Sequence, residues 1–468
     1  MKSPVSFICN NDNVLTELNP SSIILDFLRH HKQLTGVREG CREGDCGACT
    51  ILVGQLNKDS VSYISVNSCL MPVYAAAGKH IITIEGLNKK QLSPIQQVLI
   101  EEGATQCGFC TPGFIISLTG YLISAERYNY EDAINSLGGN ICRCTGYLSI
   151  KRSVKRILGL LSDHHSSNSR ICYLVKEGIL PDYFERIKDR LELLSNVSLT
   201  KKHDRGYIIA GGTDLYVQAE KLVVSSDNQF LDSEHSIKVE EASIVISASA
   251  TVSDIRNSEI MRTYLPHIRE YLDLFGSEPI RNKATLGGNI CNASPSADLI
   301  SIFLALNSNI IVYNSDYIRK IPLCKLFLGY KKLDLSKGEI IKELHFKIPP
   351  ATALFHYEKV SKRNYLDIAS VNSSICIDIK DNVINDIQIS AGGVAPIPLL
   401  LSKTTEYLLG KELKKKNILK AAELLREEIS PIDDIRGSAE YKRLLLRQLL
   451  LAHFIKLFPN SFYGQELL

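Results

Sequence analysis

The pattern of apolar and polar residues changes near Gly86. Apolar residues at helical spacing before this point predict one helix, which follows a capping Ser21 or Ser22 and ends before Gly36. Short apolar runs separated by polar turns predict strands over residues 5–9, 14–18, 50–53, 63–66 and 81–84. Strands around a single helix predict a small α+β domain.

After Gly86 the apolar residues recur at helical spacing, and start signals precede the runs. Ser93-Pro94 and Thr111-Pro112 each place a capping hydroxyl before a proline at the first helical position. The pattern predicts a small bundle of helices over residues 94–102, 112–125, 131–137 and 148–161. The polar run over residues 162–170 then predicts a linker.

Beyond the predicted linker, helices alternate with short apolar strands, which predicts a second and larger α+β unit. Strands are predicted there over residues 207–210 and 244–247. A further block starts near Phe355, with an antiparallel pair predicted over residues 373–379 and 383–390 and helices after it.

Composition and charge exclude several classes of protein. Apolar residues make up 45% of the 468 residues and charged residues 22%, as in globular domains rather than disordered or fibrous chains. The 54 basic and 51 acidic residues give a net charge of +3, so we expect neither a nucleic acid partner nor an anionic membrane. Residues 1–13 show no secretory signal, and residues 444–458 are too short to cross a bilayer. We therefore expect a cytoplasmic protein.

The chain contains 13 cysteines, which in a reducing compartment point to metal binding rather than to disulfides. Cys41, Cys46 and Cys49 follow the spacing C-x4-C-x2-C of plant-type 2Fe–2S proteins, and Cys69 is available as a fourth ligand. The alternative is a structural zinc ion held by four cysteines. Zinc sites more commonly use two C-x2-C pairs, so this spacing favours an iron–sulfur cluster.

A second quartet combines Cys107 and Cys110 with Cys142 and Cys144. Its spacing alone leaves structural zinc and an iron–sulfur cluster both open. Both pairs lie at the ends of predicted helices, so the two loops can meet at one end of the bundle.

Three motifs carry a resemblance to a known family: EGCREGDCGACT from Glu39, QCGFCTPG from Gln106 and GNICRCTGY from Gly139. They resemble the iron–sulfur region of the xanthine dehydrogenase family of molybdenum hydroxylases. The resemblance implies two 2Fe–2S clusters, and it implies that Gln106 contacts the molybdenum pterin of a partner. The implied ligands are Cys41, Cys46, Cys49 and Cys69 for the first cluster, then Cys107, Cys110, Cys142 and Cys144 for the second.

Two glycine loops offer a further candidate site. An apolar strand runs into Gly211-Gly212, and a second loop contains Gly287-Gly288. Glycine lets phosphate oxygens approach backbone N–H groups, although most Gly-Gly pairs are only turns. The fingerprint G-x-G-x-x-G does not occur, which disfavours a Rossmann fold.

The segment FGSEPIRNKATLGGNICNASPSADL from Phe275, together with AGGTDL from Ala210, is similar to the FAD domain of the same family. YEKVSKRNYLDIA and GGVAP are similar to its C-terminal flavoprotein domain. The resemblance implies that the FAD diphosphate is surrounded by Ile208, Ile209, Ala210, Gly211, Gly212, Thr213, Asp214 and Leu215, and by Thr285, Leu286, Gly287, Gly288 and Asn289.

Four more FAD residues are implied by the same resemblance. Phe275 is expected to stack on the dinucleotide and Asp298 to bind a polar group, whereas Ile341 and Lys359 are expected to line the pocket. Without the motifs, Phe275 and Ile341 read as core residues, Lys359 as a solvated charge and Asp298 as a helix cap.

The implied architecture is a multidomain α+β protein. Its predicted parts are a ferredoxin-like β-grasp 2Fe–2S domain over residues 1–87, a helical 2Fe–2S-binding bundle over 88–162, a linker over 163–172, an α+β FAD-binding domain over 173–350 and a C-terminal α+β flavoprotein domain over 351–468.

The implied function is electron transfer in a small subunit of a bacterial-type member of this family. Electrons would pass from a molybdopterin centre on a separate large subunit, through the second cluster and then the first, to FAD and on to NAD, during oxidation of hypoxanthine and xanthine to urate. The family precedent is a heterotetramer of two small and two large chains, and no catalytic residue is predicted in this chain. The alternatives are a partner that oxidises an aldehyde or another N-heterocycle, and a non-catalytic metal-binding scaffold.

Overall fold

A computed structural model describes residues 4–58, 60–161, 167–194, 206–231 and 235–462. The chain divides into two compact units, and one short segment from the middle of the chain belongs to the first unit. The first unit comprises Met1–Phe230 and Ser277–Lys283, and the second comprises Leu231–Gly276 and Ala284–Leu468. Both contain sheets and helices, so the predicted multidomain α+β class is confirmed.

The first unit is built around a five-stranded sheet in the order β2-β1-β5-β3-β4. β1 and β5 are parallel and the other neighbours are antiparallel, which is the arrangement of a β-grasp fold. A short parallel pair, β6 and β7, belongs to the same unit. The strands are β1 (Val5–Cys9), β2 (Asp12–Thr16), β3 (Thr50–Asn57), β4 (Ser60–Asn67), β5 (His80–Ile82), β6 (Ile208–Ile209) and β7 (Gln229–Phe230).

The first two predicted strands are present as the antiparallel pair β1 and β2, whereas the predicted helix cap at Ser21 or Ser22 is wrong. The helix begins after Ile23, whose side chain makes no cap hydrogen bond. The Ser21 hydroxyl instead accepts a hydrogen bond from the side chain of Asn228 at 2.8 Å. The helix also continues as a π-helix over Phe27–His31.

Helices form most of the rest of the first unit, and the four helices predicted for the bundle agree with the structure to within one residue at each end. Ser93 caps its helix as predicted, in a capping box with Gln96. The predicted cap at Thr111 is wrong, because Cys110 is the N-cap residue and Thr111 is the first residue of the helix. The helices are Ile24–Asp26, Ile84–Leu87, Pro94–Glu101, Thr111–Ser124, Tyr130–Ser136, Leu148–Leu160, Ser167–Lys176, Ile187–Glu192, Thr213–Ser225 and Glu278–Arg281, with 3₁₀ turns at Ser68–Leu70, Val73–Ala76 and Asp182–Arg186.

A helix lies where the sequence pattern indicated part of a linker. The prediction for residues 162–166 lies outside the described residues, but Ser167–Lys176 is helical. Arg170 holds this helix to the bundle, because its guanidinium donates to the Glu126 carbonyl at 2.8 Å and lies 4.7 Å from the Tyr128 ring centroid. The polar composition of this segment predicted a linker because composition does not report such contacts.

The second unit contains two larger antiparallel sheets, in the orders β11-β10-β14-β9-β8 and β15-β16-β17-β18, and a small hairpin of β12 and β13. The predicted pair over residues 373–379 and 383–390 is β16 and β17. The strands are β8 (Ile237–Glu240), β9 (Ser243–Ser247), β10 (Asn309–Tyr313), β11 (Ile318–Pro322), β12 (Phe327–Gly329), β13 (Lys332–Leu333), β14 (Ile340–Lys347), β15 (Leu354–Val360), β16 (Val371–Lys380), β17 (Val383–Gly392) and β18 (Leu399–Leu400).

Helix Asp298–Ala305 joins the two sheets of the second unit. Its Ser301 hydroxyl lies 3.1 Å from the hydroxyls of Ser374 and Ser390, and its Phe303 ring lies 5.9 Å from that of Phe346 on β14. The helices of this unit are Val252–Asn257, Glu259–Tyr264, Ile268–Asp273, Leu286–Asn292, Asp298–Ala305, Leu323–Leu326, Ser402–Leu408, Lys415–Glu428 and Ala439–Leu457. Among the described residues of the whole chain, no helix combines the length and apolarity needed to cross a membrane.

Candidate functional site

The first cysteine quartet lies at one end of the β-grasp sheet. Cys41, Cys46 and Cys49 occupy the loop that leads into β3, and Cys69 lies in the turn after β4. Because Thr50 pairs with Asn67 in the antiparallel register, Cys49 and Cys69 emerge at the same end of the two strands. Their Sγ atoms lie 3.4 Å apart, and each residue is 2% exposed.

The loop of the first quartet folds tightly around its own sulfur atoms. Gly44 and Gly47 have φ values of +79° and +67°, which glycine adopts without strain. A Cβ at Gly40 would lie 2.8 Å from the Cys46 sulfur. The amide of Glu43 donates to the Cys41 sulfur at 3.3 Å. Glycine therefore lets the loop approach its own sulfur atoms closely, and the loop amides donate to the Cys41 sulfur.

The second quartet lies at the start of two helices of the same unit. Cys107 and Cys110 precede helix Thr111–Ser124, and Cys142 and Cys144 lie in the loop before helix Leu148–Leu160. The Sγ atoms of Cys107 and Cys144 lie 3.6 Å apart, and Cys110 is hydrogen-bonded to Cys142. Cys107 and Cys144 are exposed.

Hydrogen bonds between thiols set their pKa values in the first quartet. The pKa of Cys41 is lowered to about 5, first by a hydrogen bond from Cys46 and then by loop amides, and the same bond raises the pKa of Cys46. In the other pair, the bond lowers the pKa of Cys49 and raises that of Cys69. One sulfur of each pair is therefore favoured as a thiolate, the form that binds metals.

The second quartet shows the same division. Hydrogen bonds from the Phe109 amide and the Cys144 thiol lower the pKa of Cys107. The hydrogen bond between the two thiols raises the pKa of Cys144. Burial raises the pKa of Cys110 to about 12. Burial also acts to raise the pKa of Cys142, but hydrogen bonds from Thr145 outweigh it and the pKa is lowered.

Both quartets are thus arranged as two pairs of sulfur atoms. Among the described residues, no three His, Cys, Asp or Glu side chains lie together as ligands of one ion. A 2Fe–2S cluster takes four thiolates, two at each iron, so two pairs fit it. The donor set and the loop amides of both quartets are compatible with such clusters.

Gln106, which the sequence resemblance assigned to a partner's pterin, lies beside the second quartet. Its side chain is exposed, and its Nε2 atom donates to the Cys144 carbonyl at 3.4 Å. A side chain that bonds to a ligand residue and also faces solvent is available to a partner.

The first glycine loop belongs to the first unit. Ile208–Ile209 form β6, and the turn through Ala210 and Gly211 leads to Gly212, which caps helix Thr213–Ser225 with a φ of +76°. The amides of Gly211, Gly212 and Thr213 have no acceptor among the described residues. These N–H groups at a helix start are suited to phosphate oxygens.

The second glycine loop belongs to the second unit and has different chemistry. The Leu286 and Gly287 amides donate to the carbonyls of Ala250 and Ala248 at 2.9 and 2.8 Å. Thr285 accepts from the amides of Gly288 and Asn289 through its hydroxyl and carbonyl. The amides from Leu286 to Asn289 are therefore occupied, and the buried Asn289 Oδ1 atom, which has no hydrogen-bond partner among the described residues, is available to a ligand.

The predicted residues Asp298 and Lys359 form one buried network. The Lys359 Nζ atom donates to Asp298 Oδ2 and to the Leu274 carbonyl, each at 2.8 Å, and the lysine side chain is 2% exposed. An ammonium group has three N–H donors, so one remains for a ligand. This donor fits an acceptor atom such as a flavin oxygen or nitrogen.

Two residues that sequence reasoning missed complete this network. Tyr357 donates to Asp298 Oδ1 at 2.7 Å, and Asn372 Nδ2 donates to the same oxygen at 2.9 Å. Burial raises the pKa of Tyr357 well above its usual value, which keeps the hydroxyl a donor. The alternation of side chains along β15 was the available signal, because it places Tyr357 and Lys359 on one face.

The remaining two predicted residues have simpler surroundings. Ile341 is buried on β14, where it pairs with Val312 next to an irregularity in the ladder. Phe275 is half-buried and follows helix Ile268–Asp273. The structure brings Asp298 and Lys359 into contact, and it places the first glycine loop in a different unit from the other predicted FAD residues.

Four family models match successive parts of the chain. They are a 2Fe-2S iron-sulfur cluster binding domain at residues 7–74, a [2Fe-2S] binding domain at 83–155, a FAD binding domain in molybdopterin dehydrogenase at 186–350 and a CO dehydrogenase flavoprotein C-terminal domain at 356–457.

Individual relatives carry several activities in their names. Xanthine dehydrogenase 1 of Arabidopsis thaliana is 30% identical over 93% of this chain, and aldehyde oxidase 1 of Bos taurus is 26% identical over 95%. The chain spans only 38% and 39% of the length of these two proteins. A crystal structure of quinoline 2-oxidoreductase from Pseudomonas putida 86 matches with a TM-score of 0.50 and 21% identity, over 55% of this chain and 91% of that one, which shows a shared fold.

Proposed function

The chain belongs to the molybdenum hydroxylase family, as an iron–sulfur and FAD-binding portion of such an enzyme, and we propose that it relays electrons from a molybdenum centre to NAD. Its cofactors are two 2Fe–2S clusters and FAD. The clusters pass single electrons, and a flavin collects two of them for transfer to NAD as hydride.

The observation that carries this proposal is the presence of two complete cysteine quartets, each arranged as two sulfur pairs, in one compact unit. Cys107, Cys110, Cys142 and Cys144 would hold the cluster that receives electrons first, and Cys41, Cys46, Cys49 and Cys69 the one that passes them to FAD. The exposure of Cys107 and Cys144 supports this order, because a partner can approach them closely.

The residues proposed to bind FAD are those identified by motif. In the first unit, the amides of Gly211, Gly212 and Thr213 would bind phosphate oxygens, with Ile208, Ile209, Ala210, Asp214 and Leu215 around them. In the second unit, Lys359 would donate its third N–H to the ligand, and Asp298 would hold Lys359 in place. Thr285, Leu286, Gly287, Gly288, Asn289, Phe275 and Ile341 are proposed to shape the pocket.

The substitution Gly212→Val tests the glycine loop. Valine at this position has to adopt a left-handed backbone conformation, and its Cβ would lie 3.1 Å from the Tyr216 ring. We expect loss of flavin with iron content unchanged. Gly410→Val is the matched control, since Gly410 has a φ of +71° and a Cβ there meets no neighbour. Full flavin retention in Gly212→Val would assign the loop a purely structural role.

The proposed partner is a molybdopterin-holding polypeptide, with two copies of each chain in a heterotetramer. The proposed overall reaction is the oxidation of hypoxanthine and xanthine to urate, which the similarity to xanthine dehydrogenases supports. Oxidation of an aldehyde is the second candidate, because aldehyde oxidases match over a similar share of the chain. Substrate choice would lie with the partner.

The test uses the purified chain. With iron and FAD bound, NADH should reduce an artificial dye, whereas xanthine should not, and addition of the partner should restore xanthine oxidation. Turnover of xanthine by the chain alone, with no molybdenum detected, would contradict the proposal. Bound FAD without NADH activity would exclude NAD as the acceptor, and a colourless zinc-containing protein would exclude the relay altogether.

A further inference from the structure

The loops of the two cysteine quartets touch each other through their backbones. The amide of Ile141 donates to the carbonyl oxygen of Cys46 at 3.0 Å. Cys46 belongs to the first quartet, and Ile141 is bonded directly to Cys142 of the second. One hydrogen bond therefore links a ligand residue of one quartet to the neighbour of a ligand residue in the other.

Glycines allow this close approach. A Cβ at Gly113, on helix Thr111–Ser124, would lie 2.3 Å from the Gly47 carbonyl oxygen, and a Cβ at Gly47 would lie 2.2 Å from the Gly139 carbonyl oxygen. Both distances are far below van der Waals contact. A side chain at either glycine therefore has to move the loops apart.

Asn140 lies at the centre of the contact and is only 4% exposed. Its Nδ2 atom donates to the Gly47 carbonyl at 3.1 Å, and its Oδ1 atom accepts from the Ser117 hydroxyl at 2.8 Å. The amide side chain thus joins the loop of the first quartet, the loop of the second quartet and helix Thr111–Ser124.

We propose that Asn140 is a positioning residue that fixes the distance between the two clusters. The inference deepens the proposed relay and rests on it, since a relay needs a short and constant distance between its two carriers. The Gly47 carbonyl also accepts hydrogen bonds from the amide and the hydroxyl of Thr50, so it would keep donors without Asn140. Its role is to hold the second loop against the first.

Two substitutions should separate the loops by independent means. Asn140→Asp keeps the shape of the side chain but places a carboxylate oxygen against the Gly47 carbonyl, so two acceptors face each other. Gly113→Ala inserts a methyl group against the same carbonyl. The matched controls are Asn129→Asp, which keeps a helix N-cap on the surface, and Gly159→Ala, where the added Cβ meets no neighbour.

The measurement is low-temperature EPR of the full chain, reduced with dithionite so that neither NADH nor a partner is needed. Each reduced cluster carries one unpaired electron, and two such spins held close together split each other's lines. We expect splitting in the unsubstituted protein and both controls, and a loss of splitting in Asn140→Asp and Gly113→Ala, with both cluster signals retained.

Each other outcome overturns the proposal. Unchanged splitting in both variants, or none in the unsubstituted protein, would show that this contact does not set the distance. Loss of iron from both variants, with iron retained in the controls, would assign Asn140 to folding instead. Failure of the proposed relay to NAD would be seen separately, as a lack of dye reduction by NADH with normal EPR splitting.

Discussion

The two cysteine quartets hold the same number of thiols in very different surroundings. The first has a buried pair, Cys49 and Cys69, each 2% exposed, and a half-buried pair, Cys41 and Cys46, whereas Cys107 and Cys144 of the second lie at the surface. Strand register positions the buried pair, and helix starts position the exposed one. The same metal chemistry can therefore be supported by a closed site and by an open site within one unit.

This difference separates two properties that are easily confused. The number and type of ligands determine which cluster can bind, and both quartets are equal in this respect. Burial and hydrogen bonding determine the reduction potential of the bound cluster and its resistance to chemical attack, and the quartets differ in both burial and hydrogen bonding. The following predictions test that difference, beginning with the largest expected effect.

Removal of one ligand should affect one quartet only. Cys46→Ala should abolish one EPR signal of the reduced protein, and Cys144→Ala the other, because each removes a thiolate from a separate cluster. EPR of both variants after dithionite reduction checks this. Two intact signals in either variant would mean that its quartet is wrongly assigned.

The exposed cluster should be lost first under chemical attack. Solvent and chelators reach Cys107 and Cys144 directly, whereas in the first quartet Cys49 and Cys69 are buried and the other two cysteines are half-buried. In protein treated with a chelator and oxygen, the signal abolished by Cys144→Ala should decay several times faster than the signal abolished by Cys46→Ala. Equal decay rates would show that exposure does not control lability here.

Acid should weaken the fold around the closed site through His80. Burial lowers the pKa of this histidine to about 3, while an unfolded histidine titrates near 6.5. The unfolded chain therefore takes up the proton first, so the stability contribution is complete above the unfolded pKa and is lost as the pH falls toward the folded one. Between about pH 7 and about pH 5 we expect a loss of roughly 2 kcal/mol.

Denaturant unfolding of His80→Gln, compared with the unsubstituted protein, measures this effect. Glutamine keeps hydrogen-bonding groups near the Tyr63 hydroxyl and the Asn10 carbonyl, which the imidazole contacts at 2.8 Å. The difference in unfolding free energy between the two proteins should vary with pH. A constant difference would exclude His80 as the titrating group.

The smallest expected effect concerns the reduction potential of the open site. The Thr145 hydroxyl lies 3.1 Å from the Cys142 sulfur, and hydrogen bonds to sulfur stabilise the reduced cluster. Thr145→Val should lower the potential of the second cluster by the value of one hydrogen bond, about 1 kcal/mol or roughly 40 mV. Thr145→Ser should restore it, and a shift of the first cluster instead would contradict the assignment.

Much of the iron–sulfur region could be predicted from sequence because its signals are local. The spacing of Cys41, Cys46 and Cys49, and the cap at Ser93, depend on residues a few positions apart. The cap at Ser21 was predicted wrongly because the Ser21 hydroxyl accepts a hydrogen bond from Asn228, which lies far away in sequence. Local patterns do not report such long-range competition.

The flavin region shows the same limit more strongly. Both Gly-Gly loops matched the family motif, but the Leu286 and Gly287 amides of the second donate to Ala250 and Ala248, whereas the Gly211 and Gly212 amides of the first have no acceptor among the described residues. The roles of Tyr357 and Asn372 also depend on contacts with Asp298, from a distant segment. The motifs located these segments, but only the structure identified the hydrogen-bond partner of each polar group.

The register of β3 and β4 has a consequence for protein engineering. The pairing that brings Cys49 and Cys69 together lies at one end of an eight-residue ladder, and the pair of Asn57 with Ser60 lies at the other. At ~3.3 Å per residue, about 25 Å separates this last pair from the thiols. An electrode tether or a fluorescent reporter inserted between Asn57 and Ser60 should therefore leave the metal ligands undisturbed.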